Sequence, residues 1–275
     1  MVSLVGAKPM WWAGWYRAWQ VAAALALFAL VRLDGWIYLV LLAGLLVLLG
    51  FGVARPGWRF FGHIVVDAGD PGRIALTFDD GPDPEFTPCV LDWLRAHGFV
   101  ANFFLVGRKV RLHPELARRI QAEGHLVASH THDHSHFSNF RLTRALVRDL
   151  ERVRQDFREV LGCDPTLHRP PVGLTNAHLF RALHKQRMTC ICWNSAGRDA
   201  GNRRLAGIRK IGGLARPGAI IVLHDVLPRP EWKGLVLDQL DRLATDIDRQ
   251  RLVPGRLDEL LGIAAFRGNA PASGH

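Results

Sequence analysis

Between residues 73 and 254, short apolar runs alternate with segments of helical periodicity, and no other feature limits the fold as strongly. The runs are Arg73 to Phe78, Ala101 to Leu105, His125 to Ser129, Leu167 to Arg169, Thr189 to Trp193, Ala219 to Leu223 and Arg251 to Pro254. Between them lie Glu85 to Ala96, Pro114 to Ala122, Thr143 to Leu161 and Leu235 to Arg249. In the third of these, Leu146, Leu150, Val153, Phe157 and Val160 keep helical spacing while arginine and glutamate fill the remaining faces. Alternating strand and helix builds a parallel sheet, because each helix returns the chain to the same end. Seven strands joined this way predict an α/β fold, a closed or nearly closed β/α barrel.

Residues 1–60 have a different composition. An uncharged apolar run from Trp36 to Ala54 is long enough to cross a bilayer, and a shorter run, Ala18 to Val31, precedes it. Tryptophans and tyrosines near the ends of both runs resemble an interfacial belt, so a transmembrane helical hairpin is expected. The expected organisation is a membrane anchor over 1–60, the strand-and-helix domain over 61–265 and a disordered tail over 266–275. If both runs span, Lys8, Arg17, Arg55 and Arg59 outweigh Arg32 and place the barrel on the cytoplasmic side; if one spans, the barrel lies outside.

The chemistry sits where these strands end. Thr77-Phe78-Asp79-Asp80-Gly81-Pro82-Asp83-Pro84 sets two carboxylates side by side, which repel unless a cation or proton lies between them. Further on, Ser129-His130-Thr131-His132-Asp133-His134-Ser135-His136 carries four alternate histidines. His130 and His134 are four apart, a spacing that places both on one face of a helical turn. One carboxylate with two imidazoles makes three protein ligands and leaves a position for water, as catalytic zinc sites require. His132 and His136 are expected to face solvent or to support the ligands from outside.

These residues, with Ala101-Asn102-Phe103-Phe104-Leu105-Val106-Gly107, Arg169-Pro170-Pro171-Val172-Gly173, Trp193 to Asp199 and Ile221-Val222-Leu223-His224, resemble the polysaccharide deacetylases, carbohydrate esterase family 4 with the NodB homology domain. The resemblance implies a distorted β/α barrel and metal-dependent hydrolysis of an N-acyl amide on an amino sugar. It implies a divalent ion, zinc with cobalt or manganese as alternatives, held by Asp80, His130 and His134. It makes Asp79 the base and His224 the acid, with Arg169 orienting the first and Asp199 pairing with the second. The backbone N–H of Val172, where the family usually has tyrosine, would bind the oxyanion. Two departures in the fourth motif are Ala196 for an aspartate and Ala200 for a tryptophan; losing that indole, and the tyrosine at Val172, removes apolar and aromatic surface from the groove wall and points to a substrate unlike extended chitin or peptidoglycan.

The formal charge of +10 comes mostly from arginine, much of it on the helices, and suits anionic lipid headgroups, a phosphate-bearing substrate or plain solvent. No recognition motif supports nucleic acid as a partner. The four cysteines do not form a secreted disulfide framework and read as buried free thiols. The expected partners are the membrane and an N-acylated amino-sugar glycan or lipid-linked sugar. A deformylase or deacetylase of a polyprenyl-phosphate-linked amino sugar is the alternative. A catalytically silent, membrane-tethered glycan-binding protein is the rival from another class.

Overall fold

The computed structural model describes residues 35–54 and 59–267, except 136, 137, 139, 198, 200–203 and 228, together with a few positions between 19 and 26. The chain separates into two compact units that divide after Phe51. The first contains most of helix α1, Gly35–Ala54, whose stretch Gly35–Val53 is long and apolar enough to cross a membrane. Of the expected hairpin, this is the one helix among the described residues that is long and apolar enough to span; of the run 18–31 only residues 19, 20, 22, 23, 25 and 26 are described, all helical, and the second span is not shown.

Among the described residues, the second unit is built on nine strands: β1 (Ile64–Val65), β2 (Arg73–Asp79), β3 (Asn102–Leu105), β4 (Leu126–Ser129), β5 (Leu167–His168), β6 (Thr189–Ile191), β7 (Ser195–Ala196), β8 (Ile220–His224) and β9 (Val253–Pro254). Their order is β1-β6-β5-β4-β3-β2-β8-β7, with β9 paired to β2, and every ladder is parallel. The sheet therefore curls into a half-barrel whose ends are β1 and β7. An antiparallel bridge from Asp67 to Ala219, and a bond from Asn194 Nδ2 to Asp67 Oδ2 (2.7 Å), stitch those ends. All seven expected strands are present. The two that sequence reading missed, β1 and β7, are two residues long and too short to show a period.

Strand periodicity sorts the side chains. Ile74, Leu76, Phe78, Phe103, Leu105, Val127, Ile221 and Leu223 pack outward in one core with helices α2 (Thr87–His97), α4 (Pro114–Ala122), α5 (Thr143–Leu161) and α8 (Lys233–Arg249). Ala75, Phe104, Leu126, Ala128, Leu167 and Ile220 form a second core inside the curl. Asp79, His130, Arg169 and His224 share the parity of that inner set, so the period of two turns all four towards the interior. Between α2 and α8 in chain order lie α3 (Gly107–Leu112), α6 (Ala177–Lys185) and α7 (Arg204–Ile208); α9 (Leu257–Leu261) ends the unit.

Two expectations change. Phe266 and Arg267, assigned to a disordered tail, are ordered: Phe266 bridges Pro165, and the Arg267 amide donates to the Asp164 carbonyl at 2.9 Å. Residues 268–275 lie outside the described residues. Much of the basic helical surface is also neutralised locally. Arg111 pairs with Asp156 and Glu159, Arg119 with Glu123 and Asp92, and Arg154 and Arg158 with Asp164. The cysteines are all free, with Cys163, Cys190 and Cys192 buried.

Candidate active site

Register brings the chemistry together. Asp79 on β2 is directly opposite His224 on β8, and Ser129 on β4 is opposite His168 on β5, which leaves His130 and Arg169 next to each other just beyond. All four thus emerge at the C-terminal rim of the parallel sheet, the end where barrel enzymes place their loops and chemistry.

Asp80, His130 and His134 form a cluster whose ligand atoms all lie within 4.8 Å of one another. Asp80 Oδ1 is 2.9 Å from His134 Nε2 and 3.3 Å from His130 Nε2. The His130 Nδ1–H donates to the Arg169 carbonyl at 2.8 Å, so a neutral ring turns the bare lone pair of Nε2 towards Asp80. Asp80 Oδ1 is itself buried without a hydrogen-bond partner. A carboxylate oxygen and an imidazole lone pair at this distance repel unless a cation lies between them. Two ligands about 2.0–2.1 Å from a tetrahedral ion sit roughly 3.4 Å apart. The donor set therefore fits a divalent ion. Burial pushes the Asp80 carboxyl up, but positive charge around it outweighs burial and holds the group below the usual carboxylate range: ring N–H groups of His130 and His134, or a bound cation in their place, together with the charge of His224.

The histidine pair does not lie on a helical turn. Residues 131–135 form an irregular loop in which Thr131 (φ 67°) and His134 (φ 51°) are both left-handed. Those two reversals, with the His134 amide donating to Thr131 Oγ1 at 3.0 Å, coil the loop back so that both rings face Asp80. Asp80 is left-handed too, at φ 76°, which turns its side chain away from the strand direction of Asp79. His132 points elsewhere, with its Nδ1 bonded to the buried Asp156 carboxylate at 2.8 Å. His136 lies outside the described residues.

Asp79 is nearly buried and receives Arg169 Nη1 at 2.6 Å. Arg169 is fully buried, an expensive place for a cation unless every donor is satisfied. It also donates to Thr77 Oγ1 (2.6 Å) and to the carbonyls of Ile191 and Cys192, and stacks over the Phe104 ring at 4.0 Å. On the other side, His224 Nδ1 lies 3.0 Å from Asp199 Oδ1, and the His224 amide donates to Asp199 Oδ2 at 3.1 Å. Burial alone lowers the His224 pKa; the charge and hydrogen bond of Asp199, then the charges of Asp80 and Asp79, push it up to about 10. A dication at Asp80 would cancel part of that rise.

Val172 is 60% exposed in the turn after Pro171, with φ 59° and ψ 6°. That left-handed conformation is disfavoured for a β-branched residue. The next residue, Gly173, is also left-handed and lies under the Trp193 indole, where a Cβ would come within 2.6 Å of the ring. Ala196 is in β7, and Ala200 lies outside the described residues. Sequence reading missed Lys109, whose Nζ donates to the Asp80 carbonyl at 2.7 Å, and Asp225, fully buried beneath the Asp80–Gly81 turn. Adjacency to His224 was the only signal for Asp225, and a six-residue helix gave none for Lys109.

A model of the polysaccharide deacetylase family matches residues 67–191. The chain is 32% identical over 160 residues to a chitooligosaccharide deacetylase of Azorhizobium caulinodans, covering 58% of this chain and 76% of that protein. It is 33% identical over 192 residues to the peptidoglycan-N-acetylglucosamine deacetylase PgdA of Listeria monocytogenes, 69% of this chain but 39% of that protein. A crystal structure of a peptidoglycan N-acetylglucosamine deacetylase bound to a naphthyl N-hydroxybenzamide superposes with a TM-score of 0.68 at 24% identity, covering 78% of this chain and 100% of that one, and shows the shared fold. The chain belongs to the polysaccharide deacetylase family, hydrolases that cleave amide carbon–nitrogen bonds.

Proposed function

We propose that this protein is a membrane-anchored, metal-dependent deacetylase that removes the N-acetyl group of an amino sugar in a glycan or glycolipid. The observation that carries the proposal is the cluster of Asp80, His130 and His134, with an orphaned carboxylate oxygen facing an imidazole lone pair. A zinc ion held there, or cobalt or manganese in its place, supplies Lewis acidity and lowers the pKa of water towards neutrality. Asp79, aimed by Arg169, takes the proton from the attacking water. The Val172 N–H donates to the carbonyl oxygen as it gains charge, a contribution of about 10²–10³ in rate. His224, kept protonated by Asp199, gives its proton to the departing nitrogen, so the C–N bond breaks as the new C–O bond completes the carboxylic acid. The names of the relatives, chitooligosaccharide and peptidoglycan-N-acetylglucosamine deacetylases, support an N-acetylglucosamine-containing glycan as the substrate class.

The test is release of acetate or formate by the full-length protein in detergent, loaded with zinc, cobalt or manganese. The panel comprises chitooligosaccharides, peptidoglycan fragments and polyprenyl-phosphate-linked amino sugars. Acid released by the wild type and lost in Asp79→Asn supports the proposal. Metal bound without release from any substrate would refute it and favour a silent glycan-binding role.

A lipid-carried sugar is the second reading, favoured by the apolar helix α1 and by exposed Val172 where the family's usual tyrosine would add aromatic surface to the groove wall. Faster turnover on polyprenyl-phosphate sugars than on free oligosaccharides separates it from the first.

A further inference from the structure

Asp80 meets the two histidines with its own backbone left-handed, a conformation uncommon outside glycine although aspartate adopts it more readily than most residues. Contacts from outside the residue hold it there. The turn is gripped at both of its carbonyls: Lys109 Nζ donates to the Asp80 carbonyl at 2.7 Å, and the Val106 amide donates to the Gly81 carbonyl at 2.9 Å. Beneath it, the Asp225 carboxyl group packs directly on Gly81. A Cβ at that glycine would stand 2.0 Å from Asp225 Oδ2 and 2.5 Å from Cγ. Asp225 is locked in turn, its Oδ2 accepting from Thr87 Oγ1 at 2.6 Å while that hydroxyl accepts from the Asp83 amide at 2.7 Å. Its own amide donates to the Asp79 carbonyl at 3.3 Å.

We propose that Lys109 and Asp225 are positioning residues that clamp the Asp80–Gly81 turn from opposite sides and so preorganise Asp80 as a metal ligand. The clamp rests on the reading of Asp80, His130 and His134 as the ion's ligands. Neither residue touches the ion or the substrate; each acts through the backbone of Asp80. Asp225 contributes shape and a hydrogen bond, Lys109 a charged donor. Partners of this kind are worth about 10–100-fold in metal affinity.

The experiment measures zinc affinity of the full-length, metal-stripped protein by competition with a chromophoric chelator, alongside the melting temperature without metal. Lys109→Met is expected to weaken zinc binding by about 10–100-fold while melting near the wild type, with Lys109→Arg recovering part of the loss. Asp225→Asn keeps the shape against Gly81 and the acceptor for Thr87, and should stay close to wild-type affinity; Asp225→Ala should lose it. Gly81→Ala should lose affinity through the clash with Asp225. The double variant Gly81→Ala/Asp225→Ala should bind better than Gly81→Ala alone, because the space is then free. Wild-type affinity in both Lys109→Met and Asp225→Ala overturns the clamp. A wild-type protein that binds zinc no better than His130→Ala overturns the site itself, and the clamp with it.

Discussion

Replacing Asp199 by asparagine tests the acid half of the site with little disturbance to the fold. The Asp199 carboxylate does two things: one oxygen accepts the His224 amide at 3.1 Å and the other faces Nδ1 at 3.0 Å. Asparagine keeps an acceptor for the amide but presents an uncharged NH₂ group to the ring. His224 has its pKa pushed from 6.5 to about 10, with burial opposing the rise and Asp199 its largest favourable source. Three to four pH units correspond to about 5 kcal/mol, and losing the Asp199 share should remove roughly 3 kcal/mol of it, about two units. A general acid works only while protonated, so a raised pKa carries activity to higher pH. The alkaline limb of kcat/KM should therefore move down by about two units in Asp199→Asn. Between the two limbs the deficit should grow about tenfold per pH unit and reach about 10²-fold above the wild-type limb, within the range that positioned proton transfer supplies. The assay is the pH profile with saturating metal on a chitooligosaccharide, with the His224 ring followed by NMR in the metal-free protein. An alkaline limb at the same pH in both proteins would refute the assignment of His224 as the acid and of Asp199 as its support.

Other outcomes follow from the same geometry. His125 is buried with Nε2 unpaired, and burial lowers its pKa to about 4; the unfolded chain takes up a proton from pH 6.5 downward while the folded one does not. Stability from this residue is thus complete above pH 6.5 and falls by about 3 kcal/mol as pH drops to 4, a slope that urea melts of His125→Gln should reduce. Val172→Asn, better suited to the left-handed backbone, should gain roughly 1 kcal/mol and raise Tm by about 2–4 °C in a thermal scan; a lowered Tm contradicts the strain. Zinc at a hundred times its Kd should add about 2.7 kcal/mol to the unfolding free energy of the wild type and nothing to His130→Ala, as read by denaturant melts. Arg169→Met leaves the Asp79 carboxylate nearly buried without its 2.6 Å partner and should cost roughly 3–5 kcal/mol in the same melts; a loss under 1 kcal/mol would mean the pair is not structural.

The strands were legible because each carries a run of apolar residues that both faces of a covered parallel sheet require, as β2 shows with six of its seven residues buried. The helices Pro114–Ala122 and Thr143–Leu161 start and stop where the sequence suggests, at a proline and at a left-handed glycine, Gly162. Helix α6 was missed although Asn176 caps it, its side chain accepting from the Leu179 amide at 2.8 Å; the signal was a single residue. The helical turn expected for His130 and His134 failed because a spacing of four fits any loop that reverses on itself, and two left-handed residues make this one do so. The pairing of the basic helical surface was not legible for a similar reason: Asp92 lies 27 residues from Arg119 and Asp156 lies 45 residues from Arg111, the arginines they neutralise.

Residue types and local spacing, both carried within a few positions of the chain, were enough to determine the alternation of strand and helix, the apolar N-terminal segment and the presence of side chains suited to acid, base and ligand chemistry. Tertiary structure decided which of those groups meet. Asp79 faces His224 because β2 and β8 are neighbours in register, although most of the domain separates them in sequence. The His130 ring nitrogen that faces Asp80 is selected by a carbonyl on Arg169, and the backbone of Asp80 is held by Lys109 and Asp225. Such contacts join residues remote in the chain, so their energies depend on a packed barrel and leave no trace in local sequence.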